Sequence, residues 1–116
     1  MKKVIIAGTR TFDNYKLLDE ILSKFYKEPV EIVCGGAHGV DNMGRLWAIK
    51  HEYPYKMFIP KWQEEGKIAG FNRNVEMADY ADEAICIWNG ISKGTEHMIN
   101  IMKGIGKPVR VITYEE

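Results

Sequence analysis

The chain has 116 residues, long enough to build one hydrophobic core and too short for two, which predicts a single domain over residues 1–116. Hydrophobic residues make up 46% and charged residues 28%, the balance of a soluble globular chain and not of a disordered one. The 16 Lys and Arg against 16 Asp and Glu argue against a nucleic-acid binder relying on a broad basic face and leave a local patch open. No apolar run reaches spanning length: Val4 to Gly8 is short and Arg10 follows it, so neither a membrane span nor a secretory signal is expected. Cys34 and Cys86 sit among aliphatic neighbours, as reduced core residues of a cytoplasmic protein would, and no Cys/His spacing points to a metal.

Taken in order, Lys3 to Gly8 is continuously apolar, the pattern of a parallel strand covered on both faces. It ends at the small-residue turn Gly8-Thr9-Arg10, and Asp13 or Asn14 caps a helix carrying Leu18, Ile21, Leu22 and Phe25 on one face. Pro29 closes that segment. The run Ile32-Val33-Cys34 then stops at Gly35-Gly36-Ala37-His38-Gly39, after which Val40, Met43 and Trp47 line a second helix. Tyr55 to Ile59 reads as the third strand, and Lys61 to Lys67, which contains Trp62, reads as a loop because it has no apolar period. A third helix is predicted over Ala69 to Tyr80, with Met77 and Ala81 facing inward, and a fourth strand over Glu83 to Trp88. The small-residue turn Asn89 to Thr95 leads into a helix with Thr95, Met98, Ile99 and Met102 buried; Gly104 and Gly106 stop it, and Val109 to Tyr114 is the last strand.

Strands and helices alternate throughout, which implies right-handed crossovers and an α/β fold: a doubly wound, parallel, five-stranded sheet with helices on both faces. The turns at Gly8, Gly35 and Gly94 all follow strand ends and so share one sheet edge, where such folds bind ligands. The turn Gly35 to Gly39 is the centre of this expectation. Glycines let backbone N–H groups approach an anion, and the following helix N-terminus adds partial positive charge.

The ordered set Gly8-Thr9-Arg10, Gly35-Gly36-Ala37-His38-Gly39-Val40-Asp41, Trp62 with Gly66, Ala69-Gly70, Arg73-Asn74 and Met77, Ala81-Asp82, and Ser92-Lys93-Gly94-Thr95 resembles the YspA-type, cpYpsA-related branch of the SLOG superfamily. That superfamily includes the DprA single-strand-binding proteins and the LOG phosphoribohydrolases. The resemblance runs over nearly the whole chain and implies a Rossmann-like fold, a nucleotide-derived ligand and a homo-oligomer, dimer or tetramer. LOG enzymes cleave an N-glycosidic bond with an Arg from an Arg-Lys-x-x-Met stretch and a Glu from a Pro-Gly-Gly-x-Gly-Thr-x-x-Glu loop. Arg73 and Met77 match the first stretch, with Asn74 in place of Lys; Gly94 and Thr95 match the second, but Met98 stands where the Glu belongs. A thioether neither carries a proton nor stabilises an oxocarbenium ion, so the binding apparatus is retained while the hydrolytic chemistry is in doubt. Glu96 would project about 200 degrees from the Met98 direction on a helix, a poor substitute.

The remaining candidates each carry two readings. Arg10 suits a bidentate phosphate contact or an ion pair closing its turn. Asp41 can hold ribose hydroxyls or simply stabilise the first turn of a helix. Arg73 with Asn74 can grip a phosphate or base, or lie on a solvated helix face. Ser92, Gly94 and Thr95 form a phosphate loop without an adjacent general base. Trp62 stacks on a base or packs on the third helix; His38, His51 and His97 show no ligand spacing. The sequence thus points to a small protein that binds a nucleoside phosphate, an ADP-ribose-like compound or a signalling nucleotide, as sensor or sequestering sponge. No separate cofactor is expected. The alternatives are a nucleotide N-glycosidase or phosphohydrolase using Asp41 or Glu76 and, against the neutral charge, a DprA-like DNA binder.

Overall fold

The computed structural model describes residues 1–115. Five strands, β1 (Lys3–Gly8), β2 (Glu31–Cys34), β3 (Tyr55–Met57), β4 (Glu83–Trp88) and β5 (Val109–Thr113), form one sheet in the order β3-β2-β1-β4-β5. Every pairing is parallel, with Ile5 opposite Val33 on one side and Ala84 on the other. The helices are α1 (Tyr15–Phe25), α2 (Val40–Lys50), α3 (Trp62–Glu65), α4 (Ala69–Tyr80) and α5 (Lys93–Gly104).

The period of two along buried strands explains how both faces are covered. Val4, Ile6, Ile32, Ile85 and Ile87 point to the face carrying α1 and α2, where they pack with Leu18, Leu22 and Trp47. Their neighbours Ile5, Ala7, Val33, Ala84 and Cys86 point the other way, onto Met77 and Ala78 of α4 and Met98, Ile99 and Met102 of α5. Asn14 starts α1 as a side-chain cap, its Oδ1 accepting the Leu17 N–H at 3.0 Å. At the far end of α4, Lys107 Nζ donates to the carbonyls of Ala78, Asp79 and Ala81, satisfying the helix C-terminus.

The connection from β3 to β4 returns past β1 and β2, so the winding direction reverses between β1 and β4. The two strands stay paired to their ends, Gly8 opposite Ile87, but the chain leaves β1 for α1 on one face and β4 for α5 on the other, and a crevice is left between the two connections. The expected elements are present with two boundary changes and one correction. Strand three stops at Met57 and not Ile59, and the last strand stops at Thr113 and not Tyr114. The stretch Lys61 to Lys67 is not a loop: it holds α3 and then a 3-10 turn over Gly66–Ile68. A single helical turn is too short to show a repeat in hydrophobicity, so the pattern had nothing to register. Among the described residues no helix is long and apolar enough to cross a membrane.

Candidate functional site

Two adjoining chambers open at the carboxyl edge of the sheet. The smaller, about 70 Å³, lies between the ends of β1 and β4 and is lined by Ala7, Gly8, Arg10, Ala37, Asp41, Arg73, Asn74, Met77, Ser92, Gly94, Thr95 and Met98. The larger, about 220 Å³, lies beyond β2 and is lined by Arg10, Gly35, Gly36, Ala37, His38, Ile59, Pro60, Trp62 and Arg73. Arg10, Ala37 and Arg73 belong to both and form the partition. The turns after β1, β2 and β4 therefore converge as the sequence predicts.

Thr9 and Gly39 do not line either chamber. Thr9 is buried, its Oγ1 accepts the Asn89 N–H at 3.1 Å, and its carbonyl accepts the N–H groups of Phe12 and Val40, so it ties three turns together. A Cβ at Gly39, where φ is +74°, would lie 2.4 Å from the Thr9 carbonyl oxygen, and one at Gly8 would lie 2.2 Å from that of Ile87. These two glycines are required by close backbone packing, whatever the ligand.

The Gly-rich turn after β2 already holds an anion supplied by the chain. Asp41, 6% exposed at the start of α2, accepts the Gly35 N–H at 3.2 Å, and the amides of Ala37 and Gly8 also bond to its carboxylate. Burial pushes Asp41 up to about 6, against the pull of the Arg73 charge and those amides. Arg73 is not on a solvated face: its Nη1 donates to the Gly35 carbonyl and its Nε donates to Asn74 Oδ1 at 3.0 Å. Burial lowers Arg73 from the ordinary arginine value; Asp41 opposes that and Arg10 reinforces it. Asn74, also 6% exposed, places its amide nitrogen 3.2 Å from the Gly94 carbonyl and 3.1 Å from His97 Nδ1, so it joins α4 to α5 while aiming Arg73. His97 in turn stacks on Phe71, with ring centroids 4.0 Å apart.

The entrance to α5 is organised differently. Asn89 Oδ1 accepts the N–H groups of Ile91 and Ser92 at 2.9 and 3.0 Å, which shapes the turn. Ser92 occupies the N-cap but makes no capping bond; its hydroxyl sits 3.1 Å from Thr95 Oγ1. The first-turn amides of α5 are thus left without a side-chain cap, and a Cβ at Gly94 would meet nothing within 4 Å. Arg10 is exposed above this opening. Among the described residues its guanidinium has no hydrogen-bond or ion-pair partner, so it does not close its own turn.

Sequence reasoning missed Ala7, Met77 and Met98 as walls of the small chamber and Ile59 and Pro60 as walls of the large one. Met77 and Met98 carry the ordinary signal of buried helix stripes, and only the sheet topology shows that those stripes end at the crevice. Met98, 1% exposed, lines the small chamber with a thioether, while Glu76 and Glu96 are exposed and line neither chamber. Asp41 is the one carboxylate in the chamber walls.

A five-stranded parallel sheet wound in two directions from β1 and β4 defines the Rossmann-like α/β class. Within that class, residues 2–64 match the YspA, cpYpsA-related SLOG family, and the Gene 61 protein of Mycobacterium phage D29 is 30% identical over 118 residues, covering 94% of each chain. The chain belongs to the YspA, cpYpsA-related SLOG family. The X-ray structure of DNA processing protein A (DprA) from Streptococcus pneumoniae shares the fold, with a TM-score of 0.81 at 18% identity. The match covers 98% of this chain and 51% of that one, so this chain spans about half the length of that neighbour. Family membership suggests a nucleotide-related role.

Proposed function

We propose that the protein binds the phosphate end of a nucleotide-derived small molecule in the chamber between β1 and β4, and holds it intact. The observation that carries this reading is positive charge left unanswered among the described residues: a guanidinium, Arg10, with no partner there, over a helix N-terminus without a side-chain cap and open at Gly94. Both features favour an anion, through charge-assisted hydrogen bonds and the helix dipole. Met98 in the wall where an acid would work supports holding over hydrolysis.

A second reading has one observation in its favour. Asp41, at about 6, has the raised value of a general acid and lines the same chamber. Its carboxylate is nonetheless engaged by backbone amides, which restricts its reach toward a leaving group.

Incubation with nucleoside monophosphates and ADP-ribose derivatives, followed by chromatography, separates the readings. Recovery of intact ligand is expected; release of free base or phosphate would establish catalysis instead. Arg10→Ala is expected to weaken a phosphorylated ligand about 10- to 150-fold, the worth of one charge-assisted bond of ~1.5–3 kcal/mol, with no change in melting temperature. Undiminished affinity would remove Arg10 from the site.

A further inference from the structure

We propose that Trp62 is the platform on which the ligand's aromatic base stacks, which makes it the residue that sets preference for base-bearing ligands over bare sugar phosphates. This proposal rests on the reading of the small chamber as a phosphate seat, because it assigns the neighbouring chamber to the other end of the same molecule.

The geometry around Trp62 favours that role. The side chain is 52% exposed, on the single turn α3, and its ring faces the chamber that shares Arg10, Ala37 and Arg73 with the phosphate seat. Its back edge rests on the start of α4: a Cβ at Gly70 would come within 3.3 Å of Cη2, so the glycine there lets the indole lie against the helix. Ile59, 60% exposed, forms a second apolar wall of the same chamber, next to the Gly36 backbone. Two large apolar side chains left open to water beside two guanidiniums match a ligand that is flat and apolar at one end and anionic at the other.

Size restricts the occupant. Chambers of about 70 and about 220 Å³ together fall just below the ~300–1,000 Å³ of small-molecule pockets, which leaves room for one base and not two. Apart from the two guanidiniums, the side chains of the larger chamber offer few polar edges, those of His38 and of the Trp62 indole N–H, so the platform reads ring area more than base identity. A purine is therefore favoured over a pyrimidine.

The test titrates the protein with adenosine monophosphate, cytidine monophosphate and ribose 5-phosphate by calorimetry, using the wild type, Trp62→Ala and Trp62→Phe. Wild type is expected to bind adenosine monophosphate about 5- to 150-fold more tightly than ribose 5-phosphate, the range of one base stacked on an aromatic ring, with cytidine monophosphate between them. Trp62→Ala brings both nucleotides down to the level of ribose 5-phosphate and leaves the sugar phosphate unchanged, whereas Trp62→Phe keeps most of the difference. Equal losses for all three compounds in Trp62→Ala, or unchanged nucleotide binding, overturn the proposal; so does an altered sedimentation coefficient with unchanged nucleotide affinity, which would place Trp62 between copies of the chain. If the wild type binds none of the three, the phosphate seat itself fails. If it binds ribose 5-phosphate and both nucleotides equally, the seat stands and the platform falls.

Discussion

The turn after β2 and the turn after β4 look alike as sequence, each a short run of small residues between an apolar strand and a helix. In the folded chain they are opposites. The first is filled from within: Asp41 receives its amides, the Arg73 guanidinium covers Gly35, and Gly39 is pressed against the Thr9 and Arg10 carbonyls. The second leaves its helix uncapped and its glycine facing empty space. A glycine-rich corner is thus evidence of a ligand seat only after the chain's own acids and carbonyls have been placed. What distinguishes the two is a carboxylate: Asp41 stands two residues into α2, where the corresponding position of α5 is Gly94.

The strongest way to break this contrast is to add a methyl group to the filled corner. Gly39→Ala would place Cβ within 2.4 Å of the Thr9 oxygen and 2.5 Å of the Arg10 oxygen at a φ of +74°. A loss of about 3 kcal/mol or more in urea unfolding is expected, from overpacking and from a strained backbone together. A variant as stable as the wild type would show that this corner is not packed as described.

A smaller effect sharpens the same comparison through pH. The Asp41 carboxyl rises from an ordinary 3.8 to about 6 on folding, so the folded state holds the proton more tightly. A carboxyl raised in this way contributes stability that is complete below the unfolded value and is lost as pH rises through the folded one. The gap between those two values corresponds to about 2–3 kcal/mol. Asp41→Asn cannot titrate, so between pH 4 and pH 7 the stability difference is expected to move by that amount in favour of the variant. Parallel pH profiles would mean that the amides and Arg73 compensate fully for the burial of the carboxylate.

The layout of the site was more legible than its division of labour. Continuous apolar runs at β1, β2 and β4 announced a parallel sheet buried on both faces, and that topology alone brings Gly8, Gly35 and Gly94 to one edge. The direction of Arg73 was not legible. On α4 it looks like any solvated charge, and its long-range acceptor, the Gly35 carbonyl 38 residues away, becomes apparent only when α4 is brought to the end of β2. Thr9 presents the same difficulty in reverse: a hydroxyl beside a glycine suggests a phosphate contact, but its partner is the Asn89 amide, 80 residues away. Such long-range pairings leave no trace in local composition.

The smallest expected change in stability tests the open corner, and it runs opposite to the first. At Gly94 an added Cβ meets nothing within 4 Å, and the residue lies inside α5. Alanine there loses less backbone entropy on folding than glycine, so Gly94→Ala is expected to raise stability by ~0.5–1 kcal/mol. The same methyl occupies the wall of the small chamber, where a phosphate would approach the first-turn amides. Ligand affinity is therefore expected to fall while the melting temperature rises, a separation that a purely structural glycine does not produce. If Gly94→Ala gains stability and binds as tightly as the wild type, the anion does not reach the helix terminus, and Arg10 holds it further out.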